Sequence, residues 1–106
     1  MSGRRVHVRY DCELPIILVI GDQDVAGVVS NISLGGMYVV TERVVEYGTP
    51  VKVRLRLPAL KEDATVETTV RWTKPGGIGL QFGSLRAIEV WGLNQFFKGL
   101  TAAPDE

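Results

Sequence analysis

The sequence lacks long apolar runs, paired cysteines and metal-binding clusters, and each absence excludes a class of protein. Its longest apolar runs, at residues 14–20 and 37–40, are much shorter than the about 18 consecutive apolar residues that a membrane-spanning helix needs. The single cysteine, Cys12, cannot form an internal disulfide, and one histidine leaves too few soft ligands to enclose zinc. The basic N-terminal residues are followed by no apolar segment of the kind found in secretory signals. We therefore expect a cytoplasmic protein without a membrane span, a metal or another cofactor.

The chain also lacks net charge. Its 12 Lys and Arg residues balance 12 Asp and Glu residues, and the pI is about 6.6. Without a global positive field, sequence-independent binding to nucleic acid is not expected. Positive charge is concentrated near the start, where Arg4, Arg5 and Arg9, with His7 among them, precede the first acidic residue, Asp11. Any anion site must therefore be local, and this N-terminal arm is the first candidate.

Length and composition predict one globular domain. With 106 residues, of which 45% are apolar and 23% charged, the chain can bury roughly two-thirds of its unfolded surface. No internal repeat or low-complexity tract interrupts it. We expect a domain at residues 1–100 that includes the arginine-rich arm at residues 1–12, followed by a flexible tail at residues 101–106.

Six short segments, about ten residues apart, have the patterns of β-strands. They are residues 14–20, 25–33, 37–41, 51–57, 64–72 and 78–82. The clearest is the fourth, in which strict alternation places four aliphatic side chains on one face and Lys52, Arg54 and Arg56 on the other. That strand is expected to have one buried side and one solvated side.

Two further details refine the strand prediction. In the fifth segment the same alternation predicts that Val66, Val70 and Trp72 share one face. In the first segment, Pro15 has no N–H to donate to a neighbouring strand, which favours an edge position or a strand start.

A helical pattern closes the sequence. It begins at Ser84, a predicted N-cap, and extends to residue 100. The apolar stripe contains Leu85, Ile88, Gly92 and Phe96, and it is widened by Trp91, Leu93, Phe97 and Leu100. Together the elements predict a mainly β fold, a small antiparallel six-stranded β-barrel with a C-terminal amphipathic α-helix that covers one opening or flank.

The first candidate binding motif is Arg5-Val-His-Val-Arg9. In an extended chain, residues four apart lie about 13 Å from each other, so the two arginines could hold opposite sides of a nucleotide-sized anion. A guanidinium can donate two parallel hydrogen bonds to phosphate or to O6 and N7 of guanine, and it can stack on a base. A basic arm that is merely solvated explains the same residues.

The second candidate motif is Asn31-Ile-Ser-Leu-Gly-Gly36, at the end of the second predicted strand. Asn31 and Ser33 are two residues apart, so an extended backbone would place them on one polar shelf. Gly36 would either let a planar ligand approach the backbone or permit a positive φ. An ordinary turn explains these residues equally well. Regular alternation would place two upstream valines on the same outer face as Asn31, although valine favours the core. A β-bulge between them would remove this conflict.

The two motifs in this order, Arg-x-x-x-Arg and then Asn-x-Ser-x-x-Gly after an aliphatic strand, resemble the signature of the PilZ family of bacterial cyclic di-GMP receptors. The resemblance covers nearly the whole chain. Residues 70–72 and 77–82 look like the paired late strands of that family, and residues 84–100 look like its terminal helix.

The resemblance implies a role for each motif residue. The guanines and phosphates of cyclic di-GMP would be held by Arg5 and Arg9 on one side and by Asn31, Ser33, Gly35 and Gly36 on the other. The family pattern permits Asp or Asn at position 31. Because the single carbonyl oxygen of Asn31 cannot accept two base N–H bonds as a carboxylate can, we expect a lower affinity.

The resemblance also implies roles for two residues outside the signature. Family members with an extra arginine at the position of Arg4 often bind a stacked pair of ligands, which implies two nucleotides per chain. Trp72 is placed like an aromatic that packs beside the ligand in some relatives, and burial in the barrel core is the alternative for this residue.

We therefore expect a receptor or adaptor rather than an enzyme. Its arm would close over cyclic di-GMP and signal to an unidentified partner protein in motility, secretion or surface-polymer control, as a monomer or a ligand-linked dimer. The main alternative is a PilZ-type domain that no longer binds ligand and acts as a protein-interaction module.

Two other functions fit the sequence less well. A single-stranded nucleic-acid-binding barrel could use the stripe of Lys52, Arg54 and Arg56, but no aromatic residues are interleaved with it. Nucleophilic catalysis by His7 with Cys12 or Ser33 lacks an orienting partner and a cofactor motif.

Overall fold

The computed structural model describes residues 8–100, which form a closed six-stranded antiparallel barrel and one helix. The strands run around the barrel in the order β1-β2-β3-β6-β5-β4. Their bounds are β1 Tyr10–Ile20, β2 Gln23–Ile32, β3 Gly36–Val40, β4 Pro50–Leu55, β5 Ala64–Lys74 and β6 Gly77–Phe82, and the helix α1 spans Ala87–Phe97. The predicted fold class is confirmed.

The barrel interior is filled by aliphatic side chains. Every strand contributes a residue that is at most 1% exposed: Leu18, Val29, Val39, Val53, Val70 and Ile78, in the order β1 to β6. The alternation predicted for the fourth strand is confirmed, because its four aliphatic side chains are buried while Lys52 and Arg56 are exposed and Arg54 is partly so. Burial of these branched side chains on the inner face is the main source of the barrel's stability.

Pro15 lies inside β1 rather than at its start, yet it occupies a local edge. It pairs with Val28 of β2, whereas the pairing of β1 with β4 covers only residues 17–19. In this part of β1, the β4 side has no ladder hydrogen bond for proline to disrupt. The predicted edge strand or strand start is therefore wrong, and Pro15 is accommodated by a local gap in the pairing of β1 with β4.

Three strands contain register shifts of the kind that β-bulges produce. One lies in β1 between Asp11 and Leu14, and one lies in β2 between Val29 and Asn31. The third lies in β5 between Val70 and Trp72. An extra residue reverses the alternation beyond it, so the side chains that follow point to the opposite face.

The bulge in β5 corrects one sequence-based prediction. Val66 and Val70 face the core as expected, but Trp72 does not share their face: its side chain is 45% exposed on the outside of the barrel. Arg71 and Trp72 together lie opposite Gly79, so one residue of β6 faces two of β5. The bulge in β2 likewise explains how Val29 can be buried while Asn31, two residues later, faces outward.

The helix begins later than predicted. Its N-cap is Arg86 instead of Ser84, because the carboxylate of Glu89 accepts hydrogen bonds from the Arg86 backbone N–H at 2.9 Å and from Arg86 Nε at 3.0 Å. It ends at Phe97, three residues before the expected end. Glu89 is 4% exposed, so this local pairing also satisfies a buried carboxylate.

The buried face of α1 is narrower than the predicted stripe. Gly92, Leu93 and Phe97 are buried, whereas Ile88 and Trp91 are 50% and 49% exposed. Gly92 allows the helix to pack closely on Leu60, since a Cβ there would lie 3.0 Å from Leu60 Cγ. The predicted placement of Ile88 and Trp91 on the packed stripe is therefore wrong.

The ring of Phe97 stacks on Tyr10, with ring centroids 4.5 Å apart, and so ties the helix to the start of β1. No helix within residues 8–100 is long and apolar enough to cross a membrane. Residues 10–12 of the arm predicted at residues 1–12 belong to β1, so that predicted bound is wrong. The first seven residues of the arm, with Arg4 and Arg5, and the predicted tail at residues 101–106 lie outside the described residues.

Replacement of Leu18 by alanine tests the assigned core. Leu18 is 0% exposed, so Leu18→Ala is expected to lower the free energy of unfolding by about 2–5 kcal/mol, measured by urea denaturation. The matched control is Val44→Ala, because Val44 is 82% exposed and its truncation should change stability by less than about 0.5 kcal/mol. Equal losses in the two variants would contradict the assigned core.

Candidate ligand-binding site

An open cavity of about 290 Å³ lies on the outer face of the barrel, across β2, β3, β6 and β5. Six of the eight residues predicted from the sequence line it: Arg9, Asn31, Ser33, Gly35, Gly36 and Trp72. The other two, Arg4 and Arg5, lie outside the described residues. The structure thus places Arg9, the arginine of the first motif that it describes, beside the residues of the second motif.

The contact that joins the two motifs is a hydrogen bond from Arg9 Nη2 to Asn31 Oδ1. Both side chains are half-buried, and 22 residues separate them in the chain. Two features of the strands make the contact. The bulge in β2 turns Asn31 outward, and Arg9 directly precedes β1, whose first residues pair with the end of β2. The result is a guanidinium held at the edge of the cavity.

Ser33 has the turn-forming role that the sequence analysis gave as the alternative to a polar shelf. Its hydroxyl oxygen accepts hydrogen bonds from the backbone N–H groups of Gly35 at 3.0 Å and Gly36 at 3.3 Å, and the residue is only 9% exposed. The Ser33 backbone N–H also donates to Gly36 O at 2.8 Å. Ser33 lines the cavity beside Asn31, but its hydroxyl shapes the loop instead of forming an open polar shelf.

Gly36 is required by contact between strands, and not by the positive φ that the sequence analysis considered. Its φ is not positive, and a Cβ at this position would lie 2.1 Å from the Leu80 carbonyl oxygen of β6. Any side chain would therefore push β3 away from β6. The neighbouring Gly35 carbonyl accepts a hydrogen bond from Phe82 N–H at 2.9 Å, which anchors the loop to the same strand.

Two aromatic rings cover the β6 strand beside the cavity. Tyr38 of β3 and Trp72 of β5 are paired with Gly79 from either side, and their rings stack with centroids 5.1 Å apart and an interplanar angle of 8°. A Cβ on Gly79 would lie 2.1 Å from Trp72 Nε1, and one on Gly77 would lie 1.8 Å from the Tyr38 hydroxyl. The missing side chains of β6 make room for both rings.

A cation completes this platform. Lys74 Nζ lies 5.4 Å from the centroid of the Tyr38 ring and 5.7 Å from that of Trp72. At this distance the ammonium group is attracted to the electron-rich faces of the rings. Trp72 is therefore a surface residue of a basic aromatic platform, and the alternative of burial in the core is wrong.

Six cavity residues were not predicted from the sequence: Met37, Tyr38, Arg71, Gly79, Leu80 and Gln81. Met37 and Leu80 line it but are each 4% exposed, because their side chains belong to the hydrophobic core of the barrel. At the rim, Arg71 Nε donates to Gln81 Oε1, and Arg71 Nη1 lies 3.5 Å from the Tyr47 hydroxyl. The spacing Gly77-Ile-Gly79 is a sequence signal for the platform, because glycine on one face of a strand permits close approach of large groups.

The one cysteine is unsuited to nucleophilic chemistry. Cys12 is half-buried and donates to Val29 O at 3.6 Å. Burial raises the pKa of its thiol, and the negative charge of Asp11 raises it further. The reactive thiolate is therefore disfavoured, which argues against a role for Cys12 in catalysis.

Comparison with protein-family models matches residues 3–97 to the PilZ domain. The chain belongs to the PilZ domain family. PilZ domains are generally cyclic di-GMP receptors, and they act as receptor or adaptor modules instead of enzymes. The match spans both motifs, β1 to β6 and α1.

Solved structures share the PilZ fold. The Bacillus subtilis inhibitor of motility, MotI/DgrA, superposes with a TM-score of 0.67 at 21% identity over 90% of this chain, which spans about half, 52%, of that protein. The PilZ domain of CeSA from a cellulose-synthesizing bacterium superposes with a TM-score of 0.67 at 19% identity, over 86% of this chain and 95% of that one. No curated protein matches the sequence significantly.

Gly36 and Gly79 differ in what an added Cβ would contact, so alanine is predicted to affect stability differently at the two positions. Gly36→Ala would place its Cβ against backbone and is expected to lower the free energy of unfolding by about 1–3 kcal/mol. Gly79→Ala would meet the exposed Trp72 indole, which can swing away, so we expect little loss of stability but a red shift in Trp72 fluorescence. The shift is measured in a Trp91→Phe background.

Gly83→Ala is the matched control for both variants, since its Cβ would meet nothing closer than 3.4 Å. It should change neither the urea midpoint nor the emission maximum. If Gly79→Ala left the emission of Trp72 unchanged, the stacked arrangement over β6 would be contradicted.

Proposed function

We propose that this PilZ domain is a cytoplasmic cyclic di-GMP receptor that signals to a partner protein. The observation that carries the proposal is the hydrogen bond from Arg9 to Asn31, which joins the two family motifs at the edge of one cavity. Ser33 and Gly36 support it, because they fix the loop that forms the neighbouring wall.

The chemistry of the cavity suits this ligand. Guanine presents O6 and N7 acceptors and N–H donors, and each phosphate carries a negative charge. Arg9 supplies donors and positive charge, Asn31 supplies an acceptor and donors, and the exposed Trp72 ring offers a surface on which a planar base can stack. A bidentate arginine contact contributes about 1–3 kcal/mol, so Arg5, Arg9 and one partner on the opposite wall can reach the roughly 8 kcal/mol of micromolar binding.

The existing Arg9–Asn31 contact refines the expectation for affinity. The Asn31 carbonyl oxygen already accepts a hydrogen bond from Arg9, so a guanine N–H must share or displace that donor. This competition adds to the limit set by the single carbonyl oxygen. We propose binding in the micromolar range, with Arg4 supporting a second, stacked ligand and the chain acting as a monomer or a ligand-linked dimer.

A route from the cavity to the helix supports signalling. Arg9, at the cavity, is followed immediately by Tyr10, whose ring stacks on Phe97 of α1. A ligand that moves Arg9 would therefore act on the residue next to Tyr10, which contacts α1. A population shift of this kind requires only that ligand binds one arrangement more tightly. The partner would act in motility, secretion or surface-polymer control, processes suggested by the family.

The second candidate is an interaction module that binds no ligand. The half-exposed Ile88 and Trp91 on α1 favour it, since exposed aromatic and aliphatic side chains are typical of protein contact sites. The nucleic-acid alternative loses support, because Arg54 pairs with Asp24 at 2.9 Å and Arg56 with Asp63 at 3.3 Å. These carboxylates neutralise much of the basic stripe.

Calorimetric titration with cyclic di-GMP tests the proposal. We expect saturable micromolar binding with a stoichiometry of one or two ligands per chain and no binding of GTP, which lacks the second guanine. Absence of heat and of thermal stabilisation at high ligand concentration would overturn the receptor proposal and favour the interaction module.

Truncation of Arg9 tests the motif itself. Arg9→Ala is expected to abolish measurable cyclic di-GMP binding and to lower the free energy of unfolding by about 1 kcal/mol, because its hydrogen bond to Asn31 is lost. Arg5→Ala is likewise expected to abolish binding. Arg54→Ala is the matched control, since Arg54 lies on β4 away from the cavity and should leave binding unchanged. Unfolding of Arg9→Ala would instead assign Arg9 a structural role.

A further inference from the structure

Arg71 is a cation at the cavity that belongs to neither family motif. It lies at the bulge in β5, where two successive side chains, Arg71 and Trp72, are both exposed on the outer face of the barrel. Regular alternation would have turned one of them inward. The bulge therefore places a guanidinium next to the exposed Trp72 ring, and both residues line the cavity.

The hydrogen-bond partners of Arg71 distinguish it from three other arginines of the described chain. Arg54, Arg56 and Arg86 each pair with a carboxylate. Arg71 is held instead by two neutral groups, the Gln81 amide oxygen at Nε and the Tyr47 hydroxyl near Nη1. Its orientation is restrained, while no carboxylate within residues 8–100 pairs with its positive charge.

The chemistry of the two neighbouring groups is complementary to a purine. A base that stacks on Trp72 would direct one edge toward the rim of the cavity, where Arg71 lies. A guanidinium fork matches O6 and N7 of guanine, which are both acceptors. Adenine presents N7 as an acceptor but N6 as a donor, so the second hydrogen bond to arginine cannot form.

We propose that Arg71 reads the O6 and N7 edge of a guanine stacked on Trp72 and so makes the site select guanine over adenine. This inference rests on the proposed function and names a specificity-determining residue of the same cavity. Gln81 and Tyr47 are positioning residues, because they restrain the guanidinium and need not touch the ligand.

The test measures affinities for cyclic di-GMP and cyclic di-AMP, which share the same phosphates and differ in their bases. Arg71→Ala is expected to weaken cyclic di-GMP binding about tenfold or more and to leave any cyclic di-AMP binding unchanged. Arg71→Lys retains the charge but loses the fork, so it should weaken cyclic di-GMP binding nearly as much. Arg43→Ala is the matched control, since Arg43 is also exposed but does not line the cavity.

The outcomes separate this inference from the proposed function. If the unmodified protein binds cyclic di-GMP and Arg71→Ala binds it equally well, the role of Arg71 is overturned and the receptor proposal stands. If Arg71→Lys binds like the unmodified protein, or if Arg71→Ala weakens both ligands equally, Arg71 acts through charge and the guanine-edge contact is overturned. If the unmodified protein binds neither ligand, both proposals fail.

Tryptophan fluorescence gives a second readout that does not depend on affinity. Trp72 and Trp91 are the two tryptophans of the chain, so a Trp91→Phe background makes Trp72 the only emitter. Saturating cyclic di-GMP should quench its emission if guanine stacks on the ring. Unchanged emission at saturation would overturn the stacked geometry. Thermal unfolding of each Arg71 variant checks that the fold is retained, as expected for an exposed side chain.

Discussion

The closure of a six-stranded barrel around its own side chains is the constraint on which the binding site depends. The sheet closes through the pairing of β1 with β4, and aliphatic residues from all six strands fill the interior. Such a narrow barrel has no room for a nucleotide inside, so a ligand must bind to the outer face. On that face a regular strand offers only alternate side chains, which limits how many groups can converge on one ligand.

Two bulges overcome this limit. The bulge in β2 turns Asn31 outward, and the bulge in β5 places Arg71 and Trp72 outward in succession. Between them, Gly36 permits the close pairing of β3 with β6, and Gly77 and Gly79 leave room for the rings of Tyr38 and Trp72. Irregular strands at the sides and glycine in the middle produce a concave region on a convex barrel, which is a common use of bulges near functional sites.

The sequence predicted the elements that follow simple periodicity and failed where one residue breaks the period. The alternation in residues 51–57 identified β4 and its buried face correctly, because no bulge interrupts it. The same reasoning placed Trp72 in line with Val70, since a one-residue insertion in the pairing leaves no mark in the residue pattern. At the helix, the Glu89 carboxylate took over the capping that Ser84 was expected to provide, and only the structure reveals that contact.

At the candidate site, too, the sequence identified some residues and missed others. Arg9, Asn31, Ser33 and Gly36 belong to two short motifs, so their spacing made them candidates and the family resemblance implied their roles, although their contacts differ from those expected. Tyr38 and Arg71 belong to no local motif, and their placement follows from pairing between strands distant in the sequence. Such residues are invisible to pattern analysis unless a companion feature, here the alternate glycines of β6, indicates close approach across the sheet.

The rings over β6 also affect the dynamics of the backbone beneath them. Because Gly77 and Gly79 have no side chains, Tyr38 and Trp72 provide the cover that keeps water from the hydrogen bonds of β6 with β3 and β5. Hydrogen bonds shielded in this way open less often to solvent, and those that lose their cover exchange faster. The local protection of β6 is thus controlled by two surface side chains from the neighbouring strands. Movement of either ring would change amide exchange in β6, where the glycines beneath the rings have no side chain of their own.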